Sequence, residues 1–83
     1  MFIHIAEAKH IRDYVLWIKF DNGIEGEIDL SAELWGEMFE PLRNLDFFHR
    51  FHVDNEINTI VWDNGADMAP DFLFSLLQKK QAA

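Results

Sequence analysis

The sequence predicts a single α+β domain over residues 1–83, in which a small antiparallel sheet built from hairpins carries short connecting helices and a C-terminal helix packed on one face. Three observations predict this class. Short apolar stretches in the first half alternate with a two-residue period, which is typical of strands. The tripeptide Asp-Asn-Gly occurs at residues 21–23 and again at 63–65, and it marks tight turns. An apolar stripe with helical spacing follows Pro70.

Three strands are predicted in the first part of the chain. Residues 2–9 are short and apolar-rich, residues 10–13 form a polar corner, and residues 14–20 are β-branched and aromatic. Residues 24–30 alternate strictly between acidic and mostly apolar positions. We therefore expect the third strand to have one apolar and one acidic face.

The same alternation predicts the turn between the second and third strands. A two-residue turn would set the apolar face of one strand against the acidic face of the next, whereas a three-residue turn over 21–23 keeps every inward pair apolar. Gly23 can adopt the left-handed conformation that this turn requires. The predicted inner pairs are Phe20 with Ile24, Ile18 with Gly26, Leu16 with Ile28 and Tyr14 with Leu30, and the outer pairs are Lys19 with Glu25 and Trp17 with Glu27.

The middle of the chain loses the two-residue period and is predicted to form two short helical pieces, over residues 32–39 and 41–50. Gly36 and Pro41 would break a longer helix. A second hairpin is then predicted over residues 51–62, with residues 55–58 as its turn and the last strand ending at 62. The residues expected to face inward in the helical region and just after it are Leu34, Phe39, Leu42, Leu45, Phe48 and Phe51.

A helix is predicted to begin at Pro70, because the missing N–H of proline costs nothing at the first helical position. Asp67 and Asp71 lie near this start, where negative charge meets the positive end of the helix dipole. Residues 78–83 are expected to be a frayed tail. The stripe expected to lie on the sheet is Phe72, Leu73, Leu76 and Leu77.

The composition is that of a folded protein without disulfides. Hydrophobic residues make up 49% of the chain, there is no cysteine, and 15 acidic against 7 basic side chains give a net charge of −8. Phosphate groups repel such a surface, so we expect no direct binding to nucleic acid or to membranes. The N-terminus lacks the basic and apolar regions of a signal peptide. We expect a cytoplasmic location and a basic protein partner.

Motifs that carry chemistry are scarce. The chain has no cysteine nucleophile, no nucleophile-elbow sequence and no glycine-rich phosphate loop, so we predict no enzyme activity and no cofactor. His49 and His52 have a spacing that suits a helix, but a metal site needs three or four converging ligands, and we predict none. Residues 63–67 offer oxygen ligands without a complete calcium loop, so a turn is the preferred interpretation.

The candidate partner-binding residues are Trp17, Glu25, Glu27, Asp29, Trp35 and Asp67. Trp17 shares the outer face of its hairpin with the acidic residues. It is either a core residue beneath a covering helix or an exposed interface anchor, a role in which tryptophan is common. The same alternatives hold for Trp35. Asp67 is interpreted first as a helix-start carboxylate and second as an acceptor for a basic group at a pocket rim.

Three segments carry a resemblance to a known family. They are DYVLWIKFDNGIEGEIDL at residues 13–30, FEPL at 39–42 and TIVWDNGADMAPDFL at 59–73. The matching positions are Phe20, Gly23, Asp29, Leu30, Trp62, Asn64, Gly65, Ala66, Asp67, Pro70, Asp71 and Leu73. Together these segments closely resemble DUF2442, a bacterial family of small domains of unknown function.

This resemblance implies a compact α+β fold with an antiparallel sheet, and it implies no known enzyme activity. Some relatives look fused to a C-terminal helix-turn-helix segment, and many look like partners of a second small protein in a toxin–antitoxin-like arrangement. The sequence ends at residue 83 without a helix-turn-helix segment. We therefore do not expect direct transcriptional regulation.

The leading hypothesis is a non-catalytic interaction or regulatory module whose acidic, tryptophan-bearing surface binds a small basic protein in an antitoxin-like role. The alternative is a small-ligand-sensing domain of a transcription regulator that lacks its DNA-binding part. That alternative needs a pocket of roughly several hundred cubic ångströms, for which a short chain leaves little room. An enzyme ranks third. Exposed edge strands leave homodimerisation open.

Overall fold

The α+β class is confirmed by a computed structural model, which describes the backbone of residues 3–82 and the side chains of residues 3–79. The strands in this part of the chain are β1 (Ile5–Arg12), β2 (Val15–Phe20), β3 (Glu25–Asp29), β4 (His52–Asp54) and β5 (Thr59–Val61). The α-helices are α1 (Leu45–Phe48) and α2 (Pro70–Ala82), and the 3-10 helices are Ser31–Glu33 and Glu40–Arg43.

The register of the β2–β3 hairpin is the predicted one. Leu16 lies opposite Ile28, and Ile18 lies opposite Gly26. The outer pairs, Trp17 with Glu27 and Lys19 with Glu25, also match. Ile24 was predicted to face inward but is 40% exposed, because it lies in the turn beyond the last pair of the ladder. Burial of the inner face therefore fixes the strand register. This burial decreases at the turn.

The two Asp-Asn-Gly tripeptides fold into the same three-residue turn. In each, the residue before Asp donates its backbone N–H to the carbonyl of the residue after Gly, over 2.8 Å. The side-chain oxygens of Asn22 and Asn64 each accept a hydrogen bond of 3.0 Å from the N–H two residues later. Gly23 and Gly65 have φ of +88° and +86°. The second tripeptide is thus a backbone turn, as predicted.

Helix α2 packs on the inner face of the three-stranded sheet, against β3. Leu73 and Leu77 are buried, and the side chain of Leu77 lies against the sheet at Gly26. A Cβ atom added to Gly26 would lie 2.6 Å from the Cδ1 atom of Leu77. The absence of a side chain at position 26 therefore allows the helix to approach the strand closely.

The strands form two sheets, whereas the sequence predicted one. β1, β2 and β3 form a three-stranded antiparallel sheet, and β4 and β5 form a separate pair. The N–H of Ile5 donates to the carbonyl of Asn58 over 3.0 Å at the margin between the two sheets. The predicted end of the first strand is also wrong. Paired with β2, β1 continues through the predicted corner at 10–13 as far as Arg12. The start of the predicted strand at residue 2 lies outside the described residues.

The helical pieces are shorter than predicted. The first predicted piece, 32–39, keeps only the 3-10 helix Ser31–Glu33, because Gly36 adopts a φ of +90°. The second, 41–50, is divided into the 3-10 helix Glu40–Arg43 and α1, because the chain is extended at Asn44. Leu45, predicted to face inward, is 43% exposed at the start of the one-turn helix α1. Within the described residues, no helix has the length and apolar character needed to cross a bilayer.

The buried stripe of α2 also differs from the predicted one. Leu73, Leu76 and Leu77 face the sheet, but Phe72 is 39% exposed. Phe74 is half-buried instead, with its ring 5.1 Å from that of Phe20 in an edge-to-face contact. The helix continues to Ala82, so it includes most of the predicted tail.

Candidate functional site

A groove of about 320 Å³ is formed where residues 33–39 lie beside residues 67–72. The structure thereby brings together two of the candidate residues, Trp35 and Asp67, which are distant in the sequence. The residues that line the groove are Glu33, Trp35, Phe39, Asp67, Met68, Ala69 and Phe72. We call this surface the acidic aromatic groove.

The first wall of the groove presents Trp35 to solvent. Leu34 is only 1% exposed and anchors the segment in the core, while Trp35 beside it is 68% exposed. The Leu34 carbonyl accepts a hydrogen bond of 2.8 Å from Nε of Arg43. Gly36 then reverses the chain with its positive φ. The large indole is therefore exposed on a segment that is held from both sides.

The second wall presents Asp67 by a similar alternation. Ala66 and Met68 are 3% and 5% exposed, whereas Asp67 between them is exposed. The backbone of Asp67 forms an isolated antiparallel bridge with Val61. The hydroxyl of buried Thr59 donates to the Met68 carbonyl. These contacts hold the Asp67 backbone at the groove before α2 begins.

The two walls are joined by a side chain of the second Asp-Asn-Gly turn. Nδ2 of Asn64 donates a hydrogen bond of 3.0 Å to the carbonyl of Met38. Within the described residues, Asn22 donates no corresponding side-chain bond, although the two turns are otherwise alike. The second tripeptide therefore has a positioning role in addition to its turn.

The carboxylates of the groove have no side-chain partners among the residues that the structure describes. Neither Glu33 nor Asp67 forms a side-chain hydrogen bond or an ion pair with any residue that the structure describes. Of the two predicted roles for Asp67, the helix-start role has no supporting contact, because Asp71 is the acidic residue in the first turn of α2. Asp67 lines the groove and also lies three residues before Pro70, so both predicted roles stay predictions.

The outer face of the first hairpin carries the second group of candidate residues. Trp17 is half-buried, and Nζ of Lys9 lies 5.6 Å from the centre of its ring. Glu27 opposite it forms an ion pair with Arg12, with 3.3 Å between Nη1 and Oε1. The Trp17 ring and the Glu27 carboxylate therefore each have a basic side chain beside them.

The remaining carboxylates of that face have local contacts as well. Glu25 lies opposite Lys19 in the ladder. Oδ1 of Asp29 accepts a hydrogen bond of 2.9 Å from the N–H of Ser31. These residues do not line the acidic aromatic groove. The candidate residues therefore divide into two surfaces: on the outer face Trp17 and Glu27 have basic neighbours, whereas no such contact is found in the groove among the described residues.

The histidines form no recognisable metal site. The described residues contain no cluster of three or more His, Asp or Glu side chains able to hold a metal ion. His10 and His49 have ring centres 6.2 Å apart, and each has a ring nitrogen within hydrogen-bond distance of a backbone carbonyl. Within the described residues, His49 and His52 belong to no metal-binding cluster, despite their spacing.

Some groove residues were missed by the sequence analysis. Phe39 and Phe72 were predicted as core residues, while Glu33, Met68 and Ala69 received no role. The alternation of buried and exposed residues from Ala66 to Met68 is a local signal for the second wall. No sequence pattern indicates that residues 33–39 lie beside it, because that contact depends on the tertiary fold.

The fold and the groove define a small α+β protein with an acidic, aromatic surface site. The family model for a protein of unknown function, DUF2442, matches residues 5–78, so the chain belongs to the DUF2442 family, as the resemblance predicted. Searches of curated proteins and of solved structures found no match.

Proposed function

We propose that this protein is a non-catalytic interaction module that binds a small basic protein through the acidic aromatic groove. The observation that carries the proposal is the exposure of Trp35, at 68%, beside two carboxylates without partners in the described chain. An exposed indole removes a large apolar area from water when it is covered. Tryptophan is also enriched among the residues that dominate interface energies.

The charge distribution supports a basic partner. Residues 31–78, which contribute the groove, hold nine acidic and two basic side chains, a net charge of −7. Such a field accelerates association with a positively charged protein and repels anionic ones. The complex should therefore weaken as salt screens this attraction.

An antitoxin-like role is the form of this function that the family resemblance supports. In that role the acidic module would cover a basic surface of a second small protein. The proposal includes a cytoplasmic location, which the cysteine-free composition supports. It assigns no reaction to the chain.

The proposal is tested by affinity capture from the source cells with the wild-type protein and with Trp35→Ala. We expect a small basic protein to be retained by the wild type, lost from the variant, and released as NaCl rises from about 0.05 M to about 0.5 M. Trp17→Phe on the outer face is the matched control and should retain the protein. Equal retention by Trp35→Ala, or retention that is insensitive to salt, would contradict the proposal.

The volume of the groove favours one second candidate, a small-ligand sensor. At about 320 Å³ the groove lies near the lower limit of roughly 300 Å³ for ligand pockets, with Met68 as a buried apolar contact. A thermal-shift screen of cationic and aromatic metabolites tests this candidate. A stabilising compound whose effect is abolished by Met68→Ala would favour the small-ligand sensor. The absence of any shift in Tm would exclude that candidate.

A further inference from the structure

We propose that the acidic aromatic groove receives an arginine side chain of the partner, with the guanidinium stacked on Trp35 and paired with Glu33 and Asp67. This inference rests on the proposed function, because it names the chemistry of the residue by which the partner is anchored. It commits to one occupant, an arginine in an apolar sequence context.

The outer face of the first hairpin shows which groups the groove lacks. There, Trp17 has Lys9 over its ring at 5.6 Å, and Glu27 has Arg12 at 3.3 Å. The groove repeats the combination of a tryptophan with carboxylates. Within the described residues, however, no cation lies over Trp35 and none pairs with the groove carboxylates. The complement that the proposal supplies is a cation of the partner.

The apolar part of the groove matches the stem of a long cationic side chain. Phe39, Met68 and Phe72 line the groove beside the carboxylates. Arginine buries its methylene groups along apolar surface while its charged end stays near polar groups. A small inorganic cation would leave these apolar residues uncovered, and a purely apolar side chain would leave the carboxylates without partners.

Arginine suits this combination better than lysine. The guanidinium is planar and weakly hydrated, so it stacks on an indole at a lower desolvation cost than an ammonium group. It also presents several N–H groups in a fixed plane, which allows hydrogen bonds to a carboxylate while the ring face is covered. Tryptophan is the aromatic residue with the strongest attraction for a cation.

The test uses a blocked tripeptide in which arginine stands between two leucines, titrated calorimetrically into the 83-residue protein. The same peptide with citrulline, which keeps the shape of arginine but has no charge, is the ligand control. We expect the citrulline peptide to bind about tenfold more weakly and the lysine peptide to bind severalfold more weakly. Equal affinity of the arginine and citrulline peptides would overturn the assignment.

Protein variants locate the site. Glu33→Gln and Asp67→Asn should each weaken arginine-peptide binding about fivefold, and Trp35→Ala about tenfold or more. Glu25→Gln changes the net charge equally but lies on the outer face, so it should leave the affinity unchanged. Circular dichroism melts establish that each variant is folded. If Glu25→Gln lowers the affinity for the arginine peptide as much as Glu33→Gln does, the effect comes from net charge alone and the assignment is wrong.

Failure of this inference is distinguishable from failure of the proposed function. If no arginine peptide binds, but capture of a basic protein still depends on Trp35, the arginine assignment is wrong and the interaction module stands. If capture of the basic protein depends on Trp17 and not on Trp35, both assignments to the groove are wrong.

Discussion

Replacing Gly26 by alanine tests how the helix is seated on the sheet. The new methyl group would lie 2.6 Å from Cδ1 of Leu77, whose side chain is 2% exposed, so this buried side chain would have to shift. Overpacking of this kind costs about 1–3 kcal/mol. The alanine also reduces the conformational freedom of the unfolded chain, which offsets about 0.4–1 kcal/mol.

The net expectation for Gly26→Ala is therefore a loss of about 1 kcal/mol in the free energy of unfolding, since the opposing term is smaller. For a domain of this size that loss lowers Tm by about 4–8 °C. Leu77→Ala alone should cost about 2–5 kcal/mol, because it leaves a cavity. The double variant should be more stable than the sum of the two losses by about 1 kcal/mol, because the cavity accepts the new methyl group.

Urea unfolding followed by tryptophan fluorescence and far-UV circular dichroism measures these differences. Gly23→Ala is the control, because a Cβ there meets no atom within 4 Å but the residue has a φ of +88°. Its cost comes from backbone strain, so Leu77→Ala should not relieve it. A Gly26→Ala protein as stable as the wild type, or strictly additive losses at 26 and 77, would refute the proposed contact.

Three further changes test the turns, the core and the groove separately. Asn64→Ala should cost about 0.5–1.5 kcal/mol more than Asn22→Ala in urea unfolding, because it also removes a bond to the groove wall; equal losses would contradict this. Thr59→Val should lower unfolding stability by about 1–3 kcal/mol by leaving the Met68 carbonyl unpaired, whereas Thr59→Ser should lower it less. Trp35→Ala should change stability by no more than about 0.5 kcal/mol in a thermal melt, and a larger loss would make Trp35 a structural residue.

The sheet could be predicted wherever charge and apolar character alternate. Residues 24–30 contain enough alternation to decide between two turn lengths, and the chosen register is the observed one. The Asp-Asn-Gly turns were predictable because their geometry depends on a local glycine and a local asparagine. Pro70 marked the start of α2 for the same local reason.

The groove could not be predicted, because its two walls meet only in the folded chain. Trp35 and Asp67 were chosen individually, and no periodicity connects their segments. Phe72 was predicted to belong to the apolar stripe, but the half-buried Phe74 packs against Phe20 instead. Helical spacing defines a stripe without fixing the rotation of the helix on the sheet.

The separation of the candidate residues into two surfaces has a physical basis. Trp17 and Glu27 lie in the sheet, where Lys9 on β1 and Arg12 at its end reach them. The segments around the groove contain few basic residues, and within the described residues its carboxylates form no ion pair. This difference, and not the overall charge, favours the groove as the recognition surface.

The most direct test of that conclusion is heteronuclear NMR of the indole N–H signals during titration with the arginine tripeptide. The chain has three tryptophans, one in the groove, one on the outer face and Trp62 in the core, donating to the carbonyl of Phe48 over 2.7 Å. We expect the Trp35 signal to shift saturably while those of Trp17 and Trp62 stay in place. A shift of the Trp17 signal with that of Trp35 unchanged would contradict the assignment.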